Sequence, residues 1–80
     1  MPELTLEDHS RIKKIVCGVL EVDPDALTDT DGFEDHGIDS VKAIEIITIL
    51  EDELDITIDL AELERITNLE RVYEIVATAR

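Results

Sequence analysis

Ile12, Ile15, Val16, Val19 and Leu20 recur at intervals of three and four residues, so a chain wound at about 3.6 residues per turn carries all five on one face. The same period returns in "SVKAIEIITILEDEL" and again through Leu69, Val72, Tyr73 and Val76. Three amphipathic helices in a chain of 80 residues leave room for little besides the segments that join them. Helix one is expected over residues 6–20, with Thr5 and Asp8 as a capping pair in which Asp is a weaker partner than Glu. "VDPD" ends it. Asp39 is a good N-cap residue, and helix two is expected from Ser40 to Leu54. "DITIDLAELERI" combines a short β-like "ITI" with apolar Leu60, Leu63 and Ile66, most simply a turn and a short third helix. Thr67 to Glu70, "TNLE", has the form of a full capping box opening a last helix. The expected fold is all-α: a small four-helix bundle with three longer helices, one short helix and a long loop between helices one and two.

That loop, "EVDPDALTDTDGFEDHGI", has Pro24, Gly32, Gly37 and many Asp but no sustained period. A loop this long in so small a chain is functional or anchored, with Leu27, Phe33 and Ile38 as the expected anchors. The sequence shows no repeat, low-complexity tract or internal linker, and one domain is expected over 1–80. At this size no deep enzyme cleft is expected. The apolar content is Ile, Leu, Val and Ala with one Phe, one Tyr and no Trp, which favours helix packing over an aromatic platform.

Seven basic residues against 21 acidic ones give a formal charge of -14, which repels nucleic acid and anionic membranes. The same charge either steers the chain to basic partners or only keeps it soluble. Cys17 is the single cysteine, so there is no disulfide framework or thiolate metal site; it reads as a partly buried helix residue. "MPEL" is not a basic leader with an apolar core, and no run of about 18 apolar residues follows. A mature cytoplasmic monomer is expected.

With Ser40 set at zero on a helical wheel, Ala43, Ile46, Ile47, Leu50 and Leu54 fall between roughly 240° and 340°, the core face. Glu51, Ile44, Asp55, Thr48, Val41, Asp52 and Glu45 fall between roughly 20° and 140°. An apolar pair, Val41 and Ile44, ringed by acids has the form of a small interface, and equally of ordinary scattered surface residues. His36, Asp39 and Ser40 are the residue types of a nucleophilic triad, but all three lie in one loop-to-helix junction, and Gly is missing two residues after the serine. "LTDTDGFEDHGI" puts Asp29, Asp31 and Gly32 at three EF-hand positions, yet Leu27 and Ile38 stand at its first and last ligands. His9 and His36 have no Cys or His at zinc spacing. Two readings of Ser40 stay open: it helps Asp39 cap the helix, or it is a covalent attachment point whose phosphate would lie beside free N–H groups and the positive end of the helix dipole.

At "GIDSV" the chain resembles the acyl carrier proteins, small acidic four-helix bundles that carry 4′-phosphopantetheine on the serine of a Gly-x-Asp-Ser-Leu motif. The likeness runs through "RIKKIV", "LEVDPDALT", "GFEDHGIDS", "LEDELDITI" and "ERITNLERVYEIV". It implies a carrier that is not itself an enzyme. Ser40 would receive the arm from CoA through a Mg²⁺-dependent phosphopantetheinyl transferase, and the arm's thiol would hold acyl groups as thioesters for fatty acid or polyketide enzymes. It further implies that Asp39, Val41, Ile44, Glu45, Thr48, Glu51 and Asp52 meet basic surfaces on the transferase, on an acyltransferase or acyl-ligase and on a ketosynthase. Val41 replaces the usual Leu, and His36 stands where Leu is common. "HGIDS" favours an acyl over a peptidyl or aminoacyl carrier. The alternative from another class is an unmodified acidic helical interaction module.

Overall fold

The computed structural model describes residues 4–79; the reading of the first three residues and the ends of the domain expected over 1–80 lie outside them. Helix α1 spans Leu6–Leu20. Thr5 Oγ1 accepts from the Asp8 N–H at 3.0 Å and Asp8 Oδ2 accepts from the Thr5 N–H at 3.1 Å, so the capping box closes with Asp in place of Glu. Ile12, Val16, Cys17 and Leu20 are buried, while Ile15 and Val19 flank the seam half-buried. Cys17 is only 3% exposed, deeper than expected. Burial pushes its thiol pKa up against the opposing pull of Lys13.

The long loop contains two 3₁₀ turns, Pro24–Ala26 and Phe33–His36. Leu27 and Phe33 are fully buried and Ile38 half-buried. The loop is also tied by its backbone: the Phe33 N–H donates to the Thr67 carbonyl at 2.8 Å, and the Glu70 N–H donates to the Asp29 carbonyl at 3.0 Å. The middle of the loop, Asp29 to Phe33, is thus fixed against the start of the last helix.

Helix α2, Ser40–Leu54, buries Ala43, Ile46, Ile47 and Leu50 and half-buries Leu54. No strand forms among the described residues, so "ITI" is an irregular connector anchored by Ile58. The short helix is a 3₁₀ helix, Leu60–Arg65. Three residues per turn put Leu60, Leu63 and Ile66 on one ridge, and burial along that ridge is graded: Ile66 is buried, Leu63 half-buried and Leu60 66% exposed. The ridge therefore enters the core towards its far end and leaves Leu60 outside it.

Helix α3, Leu69–Ala79, buries Leu69, Val72, Ile75 and Val76. The capping box expected from Thr67 to Glu70 does not form. Both donors the box needs are used elsewhere: the Glu70 N–H goes to the Asp29 carbonyl at 3.0 Å and the Thr67 N–H to the Arg65 carbonyl at 2.9 Å. Asn68 caps instead, its Oδ1 accepting from the Arg71 N–H at 2.9 Å. Tyr73 meets the His9 ring edge to face at 4.4 Å; burial, with the Asp29 carboxylate nearby, pushes its phenol up to about 12. Helix α1 packs against both α2 and α3 around one apolar core, and α2 carries the 3₁₀ helix. Among the described residues no helix is long and apolar enough to cross a membrane.

Candidate functional site

Ser40 is exposed at the first position of α2. Five residues, "HGIDS", bring it there. His36 ends the second 3₁₀ turn, and Gly37 takes φ 79, a left-handed conformation that a Cβ would strain. The reversal lets the Ile38 N–H donate to the Phe33 carbonyl at 3.2 Å and drops the Ile38 side chain inward. Asp39 is extended, with Oδ1 accepting from the Lys42 N–H at 2.9 Å and its carbonyl accepting from Ala43. Asp39 therefore does the capping, and the Ser40 hydroxyl is not needed for it. The amides of Ser40 and Val41 remain outside the intrahelical ladder at the positive end of the dipole.

Beside Ser40 lies an open cleft of about 240 Å³. Ile38, Ala43, Leu63 and Ile66 give it apolar walls, and Glu34, Asp39 and Glu64 are its exposed acids. The sequence reading did not foresee this cleft, because its two sides come from the start of α2 and from the 3₁₀ helix. Leu63 and Ile66 were legible as apolar positions, but not as neighbours of the serine.

Along α2, Val41 is 64% and Ile44 44% exposed, and Glu45, Thr48 and Asp52 are exposed beside them. The wheel thus placed these five correctly, and it missed Ile49, a third outward apolar residue at 36% exposure. Thr48 Oγ1 donates to the Ile44 carbonyl at 2.9 Å, so its proton is held within the helix. Glu51 departs from the expectation. It is half-buried, and its Oε2 accepts from the Ile58 N–H at 2.9 Å. The connector folds back onto it, an event no helical projection contains.

Asp31, one of the EF-hand-like acids, accepts from the Thr28 N–H at 3.0 Å through Oδ2. That bond, with the Thr28 side chain, holds its carboxyl below the usual range. Among the described residues no cluster of three or more His, Cys, Asp or Glu is arranged to hold a metal.

Residues 10–76 match the family described as the phosphopantetheine attachment site. Two relatives come from Streptomyces avermitilis. Polyketide-8 synthase acyl carrier protein 1 is 52% identical over 69 residues, covering 85% of this chain and 82% of that one. Polyketide-8 synthase acyl carrier protein 2 is 37% identical over 81 residues, covering 98% and 93%. A chain in the solved structure "The ishigamide ketosynthase/chain length factor" superposes with a TM-score of 0.81 at 36% identity, covering 94% of this chain and 96% of that one.

Proposed function

The chain belongs to the acyl carrier proteins, which bear phosphopantetheine and carry rather than catalyse, and on that premise we propose that Ser40 is its attachment point within a single carrier domain over 1–80. The carrying observation is the exposed hydroxyl at the first turn of α2, freed from capping by Asp39 and set at the mouth of an apolar-walled cleft. Ser40 Oγ takes the phosphopantetheinyl group from CoA. One O–P bond forms, the pyrophosphate bond of CoA breaks with departure of 3′,5′-ADP, and the hydroxyl proton passes to a base on the transferase. The arm, once bound, supplies a thiol on which acyl groups ride as thioesters. The first-turn amides of α2 favour the phosphodiester's negative charge at that place. Tethering makes delivery local, at high effective concentration.

Val41 and Ile44 give the apolar centre of the docking surface, and Glu45, Asp52 and Asp39 give charges that steer basic partners. The relatives' names point to polyketide enzymes, a ketosynthase/chain length factor among them, as the machinery served.

Intact-protein mass spectrometry before and after incubation with CoA, Mg²⁺ and a broad-specificity phosphopantetheinyl transferase tests this, with Ser40→Ala alongside. Wild type gains one phosphopantetheine and the variant none. A folded wild type that arrives unmodified and stays so with several competent transferases would make the chain an acidic interaction module.

A further inference from the structure

Helix α2 is closed by a C-cap in the left-handed conformation. Asp55 is left-handed at φ 53, and from there the chain turns through Ile56 and buried Ile58 before the 3₁₀ helix begins. Three donors in this turn converge on Glu51. The Asp55 N–H and the Ile56 N–H, the latter at 3.2 Å, donate to its carbonyl, and the Ile58 N–H donates to its carboxylate at 2.9 Å. The last of these matters most for position. Ile58 is 6% exposed in a segment with no sheet ladder, so its amide needs a side-chain acceptor or loses a bond on burial.

The 3₁₀ helix that follows has no buried residue of its own. Half-buried Leu63 and an Arg65–Glu74 ion pair at 3.6 Å tie it to the bundle, and its two ends are fixed by buried Ile58 on one side and buried Ile66 on the other. Leu63 and Glu64, on this helix, wall the cleft beside Ser40. We infer that Glu51 is a positioning residue: its carboxylate pins the connector at Ile58 and thereby holds the 3₁₀ wall of the Ser40 cleft, rather than serving as a charge offered to partners. The consequence for the cleft rests on the carrier reading; the pin itself is a property of the unmodified chain.

Two substitutions separate reach from charge. Glu51→Gln keeps a side-chain carbonyl at the same reach and removes the charge. Glu51→Asp keeps the charge and withdraws it by one methylene. Amide hydrogen exchange followed by NMR on the full unmodified chain should show Ile58 exchanging about tenfold faster in Glu51→Asp, the effect of losing one partly buried hydrogen bond. Leu63 and Glu64 resonances should shift in the same variant. Glu51→Gln should stay within about twofold of wild type at Ile58, and in transferase kcat/KM as well, since no rim charge is lost. The inference is overturned if Ile58 exchange in Glu51→Asp equals wild type. It is equally overturned if Glu51→Asp is modified normally while Glu51→Gln loses modification, the order a docking charge requires. Were no variant and no wild type modified, the carrier reading would fall, and the Ile58 exchange rates would still decide the pin.

Discussion

Helices α1 and α2 are built alike and face the solvent differently. Each has 15 residues, each starts under a side-chain oxygen, Thr5 or Asp39, and each stops at a non-glycine residue in the left-handed region, Glu21 or Asp55. Each buries four residues. Outward, α1 carries Arg11, Lys13 and Lys14, whereas α2 has Lys42 as its one base and shows Val41, Ile44 and Ile49 beside Glu45 and Asp52. Arg11 is also turned to internal use. Its Nη2 donates to the Glu53 carbonyl at 3.0 Å and lies 3.5 Å from the Glu53 carboxylate, a cation set at the negative end of α2. The inward faces are interchangeable in kind, so what distinguishes α2 lies in its outward residues and in the serine at its start.

The largest difference expected between the two helices is in modification. Ser40→Ala abolishes the phosphopantetheine mass gain, and Ser10→Ala, an exposed serine inside α1, leaves it complete; intact mass reads both, and any loss in Ser10→Ala would break the contrast. Next comes the shared property. Ile12→Ala and Ile46→Ala each lower stability by about 2–5 kcal/mol in urea denaturation, since both side chains are wholly buried. Ile44→Ala, on the outward face of α2, changes it by roughly 0.5 kcal/mol or less. A costly Ile44→Ala would mean that this residue belongs to the core and not to a surface.

Charge reversal sharpens the comparison further. Glu45→Lys lowers transferase kcat/KM on the order of tenfold at low salt, with the gap closing as salt rises, whereas Glu7→Lys on α1 stays near wild type. Equal effects would assign the attraction to net charge alone. A modest loss is again common to both helices: Asp39→Ala and Thr5→Ala each cost about 1 kcal/mol of stability by thermal unfolding, because each removes one side-chain cap.

Both long helices were legible to the residue because their signals are local. Apolar residues three and four apart, and a cap one residue outside, are settled within a few turns of chain. The same logic failed at Thr67. There the box pattern was present, but the Glu70 amide had a better-placed acceptor in Asp29, far away in the chain. Leu60 teaches a related lesson: a ridge of apolar residues does not say how steeply it enters the core. Glu51 sat on the right side of the wheel and still turned out to hold a connector.

What the sequence determined by itself was the composition of each helix, where α1 and α2 begin, which of their faces goes inward, and that Ser40 stands at a helix start beside an acidic, partly apolar surface. What the tertiary structure decided was which polar groups remain free for other molecules and which are consumed at home. Asp39 shares its carboxylate with a cap, Glu51 gives one oxygen to Ile58, Arg11 serves the end of α2, and a cleft opens by Ser40 only because the 3₁₀ helix is laid there. The division has one physical cause: helical order is a matter of neighbours along the chain, while hydrogen-bond partners and cavities are a matter of segments that meet only after the chain has folded.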